Sequence, residues 1–263
     1  MRSDFTEIDR KMEGLRERFA RYNGQRTEFN ERLDFSWIYH DNALEGVVLS
    51  YHELKAAIDK NIISDVTLIP AYLDIKNHKA AIEYIRELVG RRRTSYGLEL
   101  LKKLYTILNA EESAVPTNGK TNGKNVFQYR KDNPLHRLYF HEIAPPDKIS
   151  YRVRKLVEWL ASDEARKCHP IKRAAKAHFR LIGIYPWPKH SGKVARLLMN
   201  AILVKEGYLP AVIHAIERQR YYEVLRSPHS GLTTLIVESI SGTIDAAHRF
   251  LDEIDQRSIL AAS

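Results

Sequence analysis

Residues 184–196 read IYPWPKHSGKVAR, and this stretch decides the interpretation of the chain. A helical pattern over 170–181 precedes it, and another over 193–206 follows it and ends at Gly207. A short polar loop that opens directly into a helix offers backbone N–H groups and the positive end of the helix dipole to an anion. Three cations lie in or just after the loop: Lys189, Lys193 and Arg196. The stretch therefore predicts an anion site, although a basic loop that only caps a helix shows the same pattern.

The segment 185–196 resembles the signature of the Fic (Fido) family, whose enzymes mostly transfer AMP from ATP to a protein hydroxyl. The family pattern is His-Pro-Phe, any residue, Asp or Glu, Gly-Asn-Gly-Arg, two residues, then Arg, and the segment has the same length without a gap. Matching or conservatively replaced positions are Pro186, Trp187, Gly192, Lys193 and Arg196. The resemblance implies that the loop binds the phosphates of a nucleotide.

The departures from the family pattern fall where its chemistry takes place. Tyr185 stands at the catalytic His, and His190 and Ser191 stand at the first Gly and the Asn. The reference pKa of a tyrosine is about 10, so its phenol is mostly protonated at neutral pH and is a poor general base. Loss of a general base typically slows a reaction by about 10²–10⁴. Altered or lost AMP transfer is therefore expected, unless Tyr185 or His190, the two candidate catalytic residues, acts in a new role.

Lys189 takes the position of the carboxylate that holds the metal ion in the family. A divalent cation is not expected beside an ammonium that replaces its carboxylate ligand, whereas an ammonium can neutralise a phosphate directly. We therefore expect ATP, another nucleotide or another phosphate ligand to bind without magnesium, and no metal site. The predicted ligand-binding residues are Lys189, Ser191, Gly192, Lys193, Arg196, Tyr221 and Tyr222. The alternative is that the loop has drifted and only the fold is kept.

The resemblance extends over about residues 36–240. It includes 169–178 before the loop, with His178 at a structural position, and 207–210 and 220–222 after it. Near the N-terminus, 38–46 resembles the inhibitory helix of the family, whose motif is Ser or Thr, three residues, Glu, then Gly or Asn. The resemblance implies regulatory roles for three residues in that motif: Asp41 at the Ser/Thr position, Glu45 and Gly46. Glu45 is expected to pair with Arg196.

Composition and charge limit the class of protein. The net charge is +9, and residues 151–200 hold twelve Lys/Arg against three Asp/Glu, which indicates an anionic ligand or partner. No helix-turn-helix pattern appears, so nucleic acid is not an expected partner. A single cysteine, Cys168, excludes an internal disulfide and favours a reducing compartment. No apolar run reaches the ~18–20 residues that cross a membrane, so we expect a cytoplasmic protein without membrane contact.

The pattern along the chain predicts a mainly α (all-α) fold with one small β-hairpin. Residues 1–100 are expected to form an N-terminal helical region with the inhibitory-like helix at about 36–49, and 101–263 a Fic-like core domain. The hairpin, over about 126–140, is the flap that binds a target protein by strand addition in the family. A capping box at Ser50 and Glu53 predicts a short helix that runs to about residue 61. Further helices are predicted over 4–32, 77–87, 96–108, 149–161 and 232–254. The sparse apolar stripe of the first helix suits an arm on the same chain or on a partner chain, which allows for a homodimer.

Three functions are compatible with these residues. The first is a Fic-fold protein that binds a nucleotide or another phosphorylated ligand. The second is an active nucleotidyl- or phosphotransferase that modifies a protein hydroxyl with a non-standard base. The third is a non-catalytic interaction or regulatory module, which predicts no nucleotide affinity.

Overall fold

The computed structural model describes residues 3–22, 24–58, 69–92, 94–110, 127–134, 141–227 and 230–262. Within these ranges the protein is helical and contains no β-strand, which confirms the mainly α fold. The helices are α1 (Ser3–Ala20), α2 (Gln25–Leu44), α3 (Tyr51–Ile58), α4 (Ile69–Gly90), α5 (Leu98–Leu108), α6 (Ile149–Ala161), α7 (Asp163–Lys167), α8 (Pro170–Ile184), α9 (Ser191–Lys205), α10 (Arg218–Arg226) and α11 (Ser230–Ala262). Short 3₁₀ turns cover Pro146–Lys148 and Ala215–Glu217.

Helix α9 is the centre of the fold. Its side chains from Ser191 to Leu203 are all buried, because α8, α4 and α5 pack around it. A helix that is largely apolar on every side is stable only when other elements cover it. The loop 185–190 joins α8 to α9, so the predicted site is built on the most buried part of the molecule.

The N-terminal helices differ from the prediction. The single helix expected over 4–32 is wrong, because Gly24 adopts φ 90° and starts a new helix, α2. Glycine reaches this left-handed conformation without a steric penalty, so the chain turns there although the apolar spacing continues. The segment expected at 36–49 is the second half of α2, which ends at Leu44 before Gly46 at φ 87°.

Helix α1 packs on α11 of the same chain. Lys11 donates to the Ser241 hydroxyl at 3.2 Å, and Arg18 lies 3.2 Å from the carboxylate of Asp255. The apolar side chains that face the core are Phe5, Ile8, Met12, Leu15 and Phe19. The predicted stripe of α1 is thus covered within the chain, and a homodimer stays a prediction, as does the domain boundary at residue 100.

Each of the other segments predicted to be helical contains a helix in the described residues, although some of the bounds differ by several residues. Ser50 and Glu53 form the predicted capping box, in which the Ser50 N–H donates to the Glu53 carboxylate at 2.6 Å and the Glu53 N–H to the Ser50 hydroxyl at 3.2 Å. Helix α3 is described to Ile58, and its expected end near 61 lies outside the described residues. No helix in the described ranges is long and apolar enough to cross a membrane.

The predicted hairpin at 126–140 is described only over 127–134. Its described part, 127–134, forms no strand and is anchored to the motif loop instead. The Arg130 N–H donates to the Pro186 carbonyl at 2.9 Å, and the buried Arg130 guanidinium donates to the Tyr185 carbonyl at 2.7 Å. This segment therefore fixes the first half of the loop.

Candidate functional site

The motif loop adopts an unusual backbone conformation. Tyr185 and His190 have φ of 49° and 59°, and they are the non-glycine residues with positive φ in the described part of the chain. Such a conformation is uncommon for a residue with a side chain and clusters at functional loops. The Ser191 hydroxyl closes the loop, since it accepts a hydrogen bond from the Trp187 N–H and donates one to the Trp187 carbonyl, both at 2.8 Å. Ser191 is fully buried, so its hydroxyl supports the loop.

Arg196 lies under the loop and binds two carboxylates of the α2 region. Its Nη2 is 2.7 Å from Glu45 Oε1, so the expected ion pair is present. Its Nε donates to Asp41 Oδ1, and its Nη2 also lies 3.3 Å from the Asp41 carbonyl. Asp41 was predicted as a regulatory position without a partner, and its ion pair with Arg196 is an addition from the structure. The side chains of this second pair, Arg196 and Asp41, are only 3% and 4% exposed.

The buried carboxylate of Asp41 is ionised. Burial alone would raise the pKa of Asp41, but the Arg196 guanidinium and His78 outweigh burial and hold this pKa at about 2. His78 comes from α4, and its Nε2 lies 3.2 Å from Asp41 Oδ2. Burial would lower the pKa of Arg196, whereas Asp41 and Glu45 raise it well above its ordinary value. Asp41 and Arg196 thus form a permanent charge pair inside the protein.

The Glu45 carboxylate occupies the amino end of α9. A Cβ atom at Gly192 would lie 2.6 Å from Glu45 Oε1, so the absence of a side chain at 192 lets this carboxylate approach. The amino end of a helix stabilises a negative charge through its dipole and its backbone N–H groups. An internal carboxylate therefore lies where the sequence predicts an external anion.

Lys193 faces a different carboxylate, Asp74 of α4. Lys193 Nζ is 2.5 Å from Asp74 Oδ2, and His190 Nδ1 is 3.9 Å from Asp74 Oδ1. Burial raises the pKa of Asp74, but the charge of Lys193 outweighs burial and the net shift is downward. The stretch 185–196 contains no acidic residue, but in the folded protein Asp74, Asp41 and Glu45 reach Lys193 and Arg196 from other parts of the chain. No motif marks Asp74, and only the packing of α4 on α9 identifies it.

A cavity of about 120 Å³ lies beside Arg196. It is lined by Glu45, His141, Ile182, Tyr185, Gly192, Arg196, Arg218, Tyr221 and Tyr222. Clefts that bind drug-sized ligands measure about 300–1,000 Å³. The cavity is therefore too small for a nucleotide while Glu45 points into it. Lys189 and His190 do not line the cavity, and Lys189 is exposed.

Tyr221, Tyr222 and Arg218 hold the surroundings of the cavity in place. Tyr222 Oη and Arg218 Nε both donate to the Leu44 carbonyl at 3.0 Å and so fix the end of α2. Tyr221 is fully buried, and its hydroxyl lies 3.0 Å from His178 Nε2. Burial, followed by the charge of Arg196, lowers the pKa of His178 to about 3. A neutral His178 inside the core agrees with its predicted structural position. Sequence reasoning missed Arg218, which lies two residues before the quoted segment 220–222.

Comparison with known proteins identifies this arrangement. The model of the Fic/DOC family matches residues 95–203. The chain is 24% identical over 216 residues to the protein adenylyltransferase Fic of Nematostella vectensis, with 81% of this chain and 48% of that protein covered. It is 26% identical over 215 residues to the protein adenylyltransferase Fic of Aedes aegypti, with 82% and 40% covered. The chain thus spans about half the length, or less, of these curated relatives.

Solved structures share the fold. A Fic domain containing signaling protein from Bacteroides thetaiotaomicron superposes with a TM-score of 0.68 at 21% identity, over 93% of this chain and 98% of that one. Fic-1 from C. elegans superposes with a TM-score of 0.66 at 20% identity, over 96% and 74%. The helical fold, with the loop 185–190 between α8 and α9, is that of Fic-like helical domains. Residues 95–203 thus match the Fic/DOC family, and the chain is related to protein adenylyltransferases.

Proposed function

We propose that this Fic/Fido protein binds a nucleotide or another phosphorylated ligand at the loop 185–196, with AMP transfer by the family's route altered or lost. The carboxylate of Glu45 on the amino end of α9, paired with Arg196 at 2.7 Å, is the observation that carries the proposal. A site that stabilises one internal carboxylate has the donors to stabilise a phosphate in its place. The names of the curated relatives support a nucleotide as that ligand.

The ligand binds only after Glu45 leaves the site. The cavity of about 120 Å³ leaves no room for a nucleotide, and the Glu45 carboxylate would repel a phosphate at Arg196. The Glu45 side chain is 28% exposed and lies just beyond the last residue of α2. It can therefore rotate toward solvent without unfolding that helix. Glu45 is in this account the gate of the site, with Asp41 and Gly46 as its supports.

The replaced motif residues argue against ordinary AMP transfer by the family's route. Tyr185 is buried at the position of the general base, and its phenol is a poor proton acceptor at neutral pH. Lys189 brings a positive charge where the family places a metal ligand, so a magnesium nucleotide is not the proposed form. The hairpin at 126–140 as a target-protein site and a cytoplasmic location stay predictions.

One observation favours an active transferase as a second candidate. His190 lies 3.9 Å from the Asp74 carboxylate, and a carboxylate near an imidazole can orient it as a general base. In that case His190 would accept the proton of a target hydroxyl as its oxygen attacks the α-phosphate of a nucleotide and pyrophosphate leaves. His190→Gln, which keeps a polar side chain, is the variant that would abolish such transfer.

Calorimetry with a nucleotide panel, with and without magnesium, tests the proposal. Glu45→Gln should bind a nucleotide or phosphate that the unaltered protein binds weakly, and magnesium should not strengthen the binding. Glu31→Gln, on an exposed position of the same helix, is the matched control and should behave like the unaltered protein. Absence of binding by Glu45→Gln would favour the interaction module, and transfer of label from a nucleotide to protein would favour the second candidate.

A further inference from the structure

Four charged side chains meet at the cavity beside Arg196. Glu45, Arg196 and Arg218 line it, and Asp41, which does not line it, accepts a hydrogen bond from Arg196 Nε. Two cations and two carboxylates cancel while Glu45 is in place. The neighbouring pair of Lys193 with Asp74 is neutral in itself and does not line the cavity.

The two carboxylates on Arg196 differ in their freedom to move. The side chain of Asp41 is 4% exposed; one of its oxygens accepts a hydrogen bond from Arg196, and the other lies 3.2 Å from His78 Nε2. The side chain of Glu45 is 28% exposed, and it extends from the residue that follows α2. A fully buried carboxylate cannot leave its cation without a large desolvation penalty, whereas a partly exposed one can. Departure of Glu45 therefore leaves Asp41 on Arg196.

We propose that Asp41 is a specificity-determining residue that restricts this site to a phosphate monoester and disfavours a triphosphate. The inference rests on the proposed function, because it assumes that a phosphorylated ligand replaces Glu45. With Asp41 still on Arg196, the open cavity carries a single net positive charge, supplied by Arg218. A phosphate monoester carries about −1.5 to −2 at neutral pH. A triphosphate without magnesium carries more negative charge than this set of side chains offsets.

The donors and the volume agree with a single phosphate group. Arg196 Nη2 loses its Glu45 partner when Glu45 leaves and keeps only its contact with the Asp41 carbonyl, and the Arg218 guanidinium faces the same cavity. The cavity of about 120 Å³, enlarged by the departing carboxylate, has room for one phosphate. Guanidinium groups bind phosphate oxygens with directional, charge-assisted hydrogen bonds, so two of them suit a terminal phosphate. Arg218 is in this account a ligand-binding residue.

The test compares three probes on the Glu45→Gln protein in the absence of divalent cations: inorganic phosphate, AMP and ATP. AMP is expected to bind at least as tightly as ATP, and inorganic phosphate shows whether the phosphate alone is sufficient. Adding Asp41→Asn removes one negative charge and should raise the affinity for ATP relative to AMP by at least about tenfold. Adding Asp34→Asn instead removes a buried carboxylate of the same helix that pairs with Arg86 away from the cavity, and it should leave the ratio unchanged. Arg218→Gln should weaken AMP binding by about tenfold.

The outcomes separate this inference from the proposed function. If Glu45→Gln binds none of the three probes, both are overturned. If it binds ATP at least about tenfold more tightly than AMP, or if Asp41→Asn and Asp34→Asn change the ratio equally, the inference alone is overturned. If the double variant Glu45→Gln/Asp41→Asn does not fold by circular dichroism, the ATP-to-AMP ratio of Glu45→Gln decides.

Discussion

Two ion-pair clusters flank the start of α9, and they differ in construction. In the first, Arg196 is bound by Asp41 and Glu45 of the α2 region; in the second, Lys193 is bound by Asp74 of α4. The first combines a buried carboxylate with a partly exposed one, whereas the second has a single carboxylate that also faces His190. In the first cluster, therefore, the Glu45 side chain can move away while Asp41 still neutralises Arg196. The second cluster has no such spare carboxylate.

The comparison shows why local charge in a sequence does not give the charge of a pocket. The loop and the first turn of α9 contain cations and no acidic residue. In the folded protein the buried cations Lys193 and Arg196 are each met by a carboxylate from another helix, because an unpaired charge inside a protein is costly. Ligand binding at such a site is an exchange of one anion for another.

The largest expected effect is the loss of the buried carboxylate of the first cluster. Asp41→Ala leaves the Arg196 guanidinium buried with Glu45 as its remaining carboxylate. The free energy of unfolding should fall by about 3–5 kcal/mol, the usual penalty for breaking a buried ion pair. Urea denaturation followed by circular dichroism measures this change. A loss under about 1 kcal/mol would contradict the permanent pair.

Asp74→Ala makes the matching change in the second cluster. Lys193 is 3% exposed in its side chain, but Asp74 is 27% exposed, so water can partly replace the lost carboxylate. The free energy of unfolding should fall by about 1–3 kcal/mol, which is less than for Asp41→Ala. The same urea experiment compares the two variants. Equal losses would show that the two clusters do not differ as described.

His178, buried near Arg196, predicts a pH dependence of the free energy of unfolding. Burial lowers the pKa of His178 to about 3, from an ordinary value of 6.5. The unfolded chain therefore binds more protons between these values, so stability is full above pH 6.5 and is lost as the pH falls toward 3. The slope for this one proton is up to about 1.4 kcal/mol per pH unit.

His178→Gln tests the source of that slope, since it keeps a polar side chain near the Tyr221 hydroxyl. Urea unfolding between about pH 4.5 and 7, which covers the upper part of this window, should show a flatter dependence than in the unaltered protein. His52→Gln, at an exposed position, is the control and should keep the original slope. Asp41 affects stability at a lower pH than His178 does. Its pKa is lowered from 3.8 to about 2, so the stability that it contributes is present above pH 3.8 and is lost as the pH falls through 2.

The smallest expected effect on stability is that of Glu45→Gln. The carboxylate is partly exposed, and Asp41 continues to neutralise Arg196 after the change. The free energy of unfolding should change by less than about 1 kcal/mol, while ligand binding improves. A thermal melt and a binding titration on the same sample measure both quantities. A loss as large as that of Asp41→Ala would show that Glu45 is a structural residue and not a gate.

Sequence reasoning predicted the parts of the fold and the site that depend on local register. The capping box at Ser50 is of this kind, because spacing along one segment places both of its groups. The role of the motif and the pairing of Glu45 with Arg196 were predicted from the resemblance to the Fic family instead. Asp74 and Arg218 could not be predicted, since each reaches the loop through the packing of a different helix. The break at Gly24 was missed because helical spacing of apolar residues continues across it.

The central claim is that Glu45 occupies the place of the ligand's anion, and a crystal structure of Glu45→Gln with AMP and without divalent cations tests it most directly. The account predicts a phosphate at the amino end of α9, within hydrogen-bond distance of Arg196 Nη2 and near the Gly192 backbone, with Asp41 still on Arg196 Nε. A phosphate bound elsewhere would contradict it. So would an empty site at saturating AMP in which the substituted side chain stays where the Glu45 carboxylate lies in the unaltered protein.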